Sequence, residues 1–89
     1  MPTPLEKSAQ VFLLERDTGI LCRILGLYTA RGIHVERAEY AHAAPRVMVL
    51  TVTTTADAEL LRVLVSKAAT LVGVIEAAER SQMGEALVA

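Results

Sequence analysis

The stretch LLERDTGILCRILGLYTARGIHVERAEY, residues 13–40, decides the fold, because it holds a strand end, a polar turn, a helix marked at both ends and the strand that follows. In the turn, Asp17 or Thr18 supplies an N-cap, whose side-chain oxygen accepts a hydrogen bond from a free N–H of the first helical turn. Gly32 stops the helix by taking the left-handed conformation just past its end. Between these marks Ile20, Leu21, Ile24, Leu25, Leu27 and Tyr28 recur at three- and four-residue spacing, while Arg23 and Arg31 keep another face polar. That is the pattern of a helix lying on a sheet. The same residues offer a candidate site: the N–H groups of Gly19 and Ile20 open the helix, where a small carboxylate can approach them.

Working outward, residues 1–8 carry Pro2 and Pro4 and read as a flexible lead-in. Residues 9–14, AQVFLL, form a short apolar run that suits a strand. In residues 33–41, Ile33 and Val35 lie on one parity and Ala38 and Tyr40 on the other, so a bulge near Glu36 or Arg37 is needed to bring both pairs to one face. Residues 42–45, HAAP, read as a hairpin loop, with His42 in solvent. Residues 46–54, RVMVLTVTT, are β-branched and apolar on both parities, as expected of a central strand. Thr55 or Asp57 caps a second helix carrying Leu60, Leu61, Leu64, Val65, Ala68 and Leu71. Residues 72–78 give a last strand, with Gly73 at its entry or at a close backbone approach, and residues 79–89 a tail. The order strand, helix, strand, strand, helix, strand predicts an α+β ferredoxin-like plait over residues 9–78: a four-stranded antiparallel sheet with both helices on one face.

Composition bounds the function. At 89 residues and 53% hydrophobic, the chain has more apolar side chains than one small domain readily hides, which favours a homodimer, through a sheet edge or a helix face. A net charge of −1 with both signs scattered gives no electrostatic footprint for nucleic acid or an anionic membrane. The lone Cys22 excludes an internal disulfide and a paired-thiol metal site, and it reads as a small buried or half-buried helix residue with no base beside it. The start, MPTPLEKSAQ, lacks a secretion pattern, so a cytoplasmic protein is expected. The turn ERDTG has one glycine only, too few for a phosphate cradle, and no catalytic residue, metal or cofactor is assigned to this chain. Read alone, Gly19 and Gly32 are also an ordinary helix entry and stop, Arg16 a surface cation, and His34 an exposed strand residue or a partner of Glu36.

The string from Leu13 to Glu36 resembles the opening of the small regulatory subunit of acetohydroxyacid synthase (acetolactate synthase), an ACT-type amino-acid-sensing domain. The likeness rests on Gly19, Leu21, Arg23, Gly26, Leu27, Arg31, Gly32, Ile33, His34, Val35 and Glu36. A looser similarity continues into SKAATLVGV, residues 66–74, where Thr70 and Gly73 replace a lysine and an aspartate. The chain is most similar to the short, single-domain branch. The resemblance implies a non-catalytic subunit that binds and activates the thiamine-diphosphate-dependent large subunit in branched-chain amino-acid synthesis, the cofactor belonging to that partner. It also implies an effector amino acid at a dimer interface, between Arg16, Asp17, Thr18, Gly19 and Ile20 of one chain and His34 and Val35 of the other. Arg16 and His34 stand where valine-sensitive members carry asparagines, so activation without strong valine inhibition is expected. A free-standing ACT sensor of a small amino acid is the alternative.

Overall fold

The computed structural model describes residues 5–81. Its elements are β1 (Leu5–Glu15), α1 (Thr18–Ala30), β2 (Val35–Ala44), β3 (Val47–Asp57), α2 (Ala58–Ala68) and β4 (Val74–Ser81). All pairings are antiparallel, and the sheet order is β2-β3-β1-β4. This is the ferredoxin-like plait expected from the sequence, with β3 central as its two-sided apolarity requires.

The core lies between one sheet face and the helices. Phe12 and Leu14 of β1 sit opposite Leu50 and Met48 of β3, and all four are buried. Ile20, Ile24 and Tyr28 of α1, at four-residue spacing, and Leu61, Leu64 and Ala68 of α2 close over them. The bulge falls where the side-chain parity demands it. Val35 pairs with Thr54 and Arg37 with Thr53, so Glu36 is the extra residue, and Val35, Ala38 and Tyr40 share the helix-facing side.

Both helix ends of α1 follow the sequence reading. Asp17 Oδ1 accepts from the Gly19 N–H at 2.8 Å, and Gly32 has φ +67°. Gly32 N–H donates to Thr29 O at 3.1 Å and Ile33 N–H to Tyr28 O at 3.0 Å, the paired bonds of a Schellman motif, with Ile33 buried in the core. Asp57 caps α2, accepting from the Glu59 and Leu60 N–H groups.

Several boundaries differ from expectation. β1 begins at Leu5, inside the expected lead-in, because residues 5–8 pair with Asp57 to Thr54 of a longer β3. β2 runs to Ala44, so the hairpin turn shrinks to Pro45 and Arg46, and His42 is an exposed strand residue opposite Met48. β4 starts at Val74 and takes residues 79–81 from the expected tail, since these pair with β1. The remaining tail, 82–89, and residues 1–4 lie outside the described residues. Cys22 is exposed rather than buried or half-buried. It lies two residues after Ile20, about 200° around the helix from the buried stripe.

One buried feature has no counterpart in the sequence reading. Gln10, within the apolar run of β1, is fully buried. Its Oε1 accepts from Tyr28 Oη at 2.9 Å and from Thr54 Oγ1 at 3.2 Å, while its Nε2 donates to Ser8 Oγ at 3.0 Å. A single amide thus ties β1, β3 and α1 together. Burial, with the Glu79 carboxylate as a second cause, holds the Tyr28 phenol well above its usual range, so it stays protonated as the donor this network needs.

Candidate effector-binding site

Antiparallel pairing brings three connections to one end of the sheet: the β1–α1 turn, the β2–β3 hairpin and the loop before β4. Backbone bonds fasten them, from Glu15 N–H to Gly73 O at 2.9 Å and from Arg16 N–H to Arg46 O at 3.2 Å. Gly73, at φ +95°, sits against Ile20 of the first turn of α1. Both readings offered for this glycine hold, since it stands at the entry to β4 and at a close approach.

Arg16, Asp17, Thr18 and Gly19 are all exposed on this turn, whereas the Ile20 side chain belongs to the core, so only its backbone lies near the turn. The two N–H groups proposed for a carboxylate are engaged within the chain. Asp17 Oδ1 takes that of Gly19, and Asp17 O takes that of Ile20 at 3.0 Å. A ligand carboxylate at Gly19 therefore has to displace the Asp17 side chain, which carries the same charge.

His34 and Val35 lie at the opposite end. Val35 pairs with Thr54, whereas Glu15 pairs with Val47, and seven residues of β3 separate those rows, about 24 Å at ~3.4 Å per residue. His34 is exposed just before β2, and Val35 is half-buried. Within one chain the two halves of the candidate site do not meet.

Two further surfaces flank this frame. An open concavity of about 500 Å³ at the turn end is lined by Glu15, Arg16 and Arg46. The sheet face away from the helices carries Val11, Leu13 and Val49, half-buried, around a shallow concavity of about 260 Å³ bordered by Glu76 and Arg80. Phe12 and Tyr40 pair with each other's common neighbour Leu50 on the helix side, so neither offers a ring for base stacking on the open face. Among the described residues no group of three or more His, Cys, Asp or Glu side chains is placed to hold a metal ion, and no helix is long and apolar enough to cross a membrane.

No family model matches the chain, and no curated protein matches it in sequence. Solved structures do match its fold. The C-terminal domain of the MgtC protein from Mycobacterium tuberculosis superposes with a TM-score of 0.74 at 14% identity, covering 91% of this chain and 92% of that one. The ACT domain of GTP pyrophosphokinase from Chlorobium tepidum gives a TM-score of 0.72 at 13% identity, covering 84% and 97%. This chain has an ACT-like fold. An uncharacterized Thermotoga maritima protein shares it, with a TM-score of 0.71 at 9% identity over 88% of this chain and 98% of that one. In this ACT-like domain β2 and β4 are the edge strands, and the turn end and the His34 end lie at opposite ends of the sheet.

Proposed function

We propose that this ACT-like domain is a non-catalytic regulatory subunit that activates the thiamine-diphosphate-dependent large subunit of acetolactate synthase, acting beside it in the cytoplasm. The observation that carries the reading is a coincidence of sequence and fold. The residues that resemble the synthase's small subunit, Gly19 to Glu36, are those that build the turn, α1 with its Gly32 stop and the bulged start of β2 in an ACT-like fold. In this reading two copies pair through their β2 edges about a two-fold axis, laying the Val35 end of each strand beside the Ala44 end of the other. The Arg16 to Ile20 turn of one copy then stands on the same side as His34 and Val35 of its partner, so the two halves that lie apart in one chain meet only in the pair.

Activation follows from linkage. A subunit that binds the competent conformation of the large subunit better than the others raises its population, and an effector that alters the pair alters that preference. Titrating purified large subunit with this chain is expected to raise the rate of acetolactate formation about fivefold or more, saturating as the large subunit is consumed. An unchanged rate at saturating chain would contradict the proposal. Tight calorimetric binding of an amino acid by the chain alone, with no effect on the synthase, would instead identify a free-standing sensor.

A further inference from the structure

The turn end of the sheet carries two exposed arginines, Arg16 and Arg46. Arg16 and Arg46 come from segments 30 residues apart in sequence, and their backbones are joined by the Arg16 N–H to Arg46 O bond of 3.2 Å. Both line the same open concavity of about 500 Å³, and its third lining residue is Glu15. Arg37 pairs with Glu39 and Arg62 with Glu59, whereas neither Arg16 nor Arg46 lies in a carboxylate pair among the described residues. Asp17, the other acid of the turn, is committed to capping α1.

We infer that this concavity is a binding site for a small acidic amino acid, a molecule with two carboxylates and one ammonium group. The inference deepens, and rests on, the reading of the domain as an effector-controlled subunit, and it places the effector's anionic groups at Arg16 and Arg46 rather than on the N–H groups of Gly19 and Ile20. Charge complementarity selects the class. Two guanidinium groups each receive a carboxylate through paired N–H donors, and the Glu15 carboxylate receives the ammonium group. A neutral amino acid leaves one arginine unsatisfied, and a plain dicarboxylate leaves Glu15 opposite like charge. The volume holds a molecule of that size with its solvent.

The test uses the full chain, with L-glutamate, L-valine and succinate as probes, read by calorimetry and by NMR shifts of the Arg16 and Arg46 amides. L-glutamate is expected to bind saturably and at least about tenfold more tightly than L-valine, the discrimination of one charge-assisted hydrogen-bond pair. Arg46→Gln is expected to weaken L-glutamate about tenfold or more, with an unfolding curve like that of the unchanged chain. Glu15→Gln is expected to weaken L-glutamate while leaving succinate unweakened. No saturable L-glutamate binding, equal affinity for L-valine, or full affinity in folded Arg46→Gln would each overturn the site. Synthase activation is measured separately on the unchanged chain, so activation without L-glutamate binding removes only this inference, and binding without activation removes only the regulatory reading.

Discussion

Gln10→Ala is expected to lower the unfolding free energy by about 3–5 kcal/mol, because it opens a cavity in the core and strands hydroxyl groups that had an amide partner. Gln10 is fully buried in a central strand, and three bonds of 2.9 to 3.2 Å depend on it. No buried side-chain polar atom among the described residues lacks a partner, so Tyr28 Oη and Thr54 Oγ1 find no idle buried side-chain acceptor to turn to. Against a total of about 5–15 kcal/mol for a small domain, such a loss moves the urea midpoint sharply. Gln10→Leu, which keeps the volume, separates the two causes. If stranded hydroxyls dominate, Gln10→Leu remains costly, and adding Tyr28→Phe recovers part of the loss, since removing both partners costs less than removing one. Near-neutral Gln10→Leu would show that the network contributes packing only.

The second large effect is at Gly73. A Cβ there would stand 2.1 Å from Ile20 Cδ1 and 2.9 Å from Ile20 Cγ1, and the φ of +95° strains any other L-residue. Ile20 is itself core, so it has little room to yield. Gly73→Ala is expected to cost about 2–5 kcal/mol, overpacking added to backbone strain, as read by thermal unfolding. Gly26→Ala is the contrast, because nothing lies within 4 Å of a Cβ at that exposed helical position. It is expected to gain about 0.5–1 kcal/mol. Because Gly73 O also holds Glu15 N–H, the Gly73 change further loosens the end of the sheet where Arg16 and Arg46 meet.

Much of this fold was legible in the residues because each signal had one local cause. Asp17 and Gly32 mark α1 through hydrogen bonds made within a few residues, and the parity clash between Val35 and Tyr40 demanded a bulge that lies at Glu36. What stayed hidden depends on contacts distant in sequence. The true starts and ends of β1, β3 and β4 follow from pairing, as with Leu5 opposite Asp57 and Ser81 opposite Ser8. Gln10 carried no signal of its own within the run 9–14, since its partners Tyr28 and Thr54 lie 18 and 44 residues away. Arg46 read as the first residue of the third strand, whereas it stands in the turn before β3. Its place beside Arg16 follows from the topology, which brings the end of β1 and the start of β3 to one end of the sheet. Cys22 was misplaced because the apolar residues of α1 spread wider than its buried stripe of Ile20, Ile24 and Tyr28.

The regulatory reading requires a pair of copies joined through their β2 edges, with the turn of one on the same side as His34 of the other. Cross-linking between isotopically labelled and unlabelled chains tests it most directly. In a Cys22→Ser background, Thr18→Cys is introduced into the labelled chain and His34→Cys into the unlabelled one, and a short bismaleimide joins what lies close. Mass spectrometry is expected to find labelled turn peptides joined to unlabelled β2 peptides. Within one chain the two ends of the sheet are about 24 Å apart along the strands, too far for such a linker. Folded chains that yield no mixed product, or that run as monomers throughout, would contradict the account.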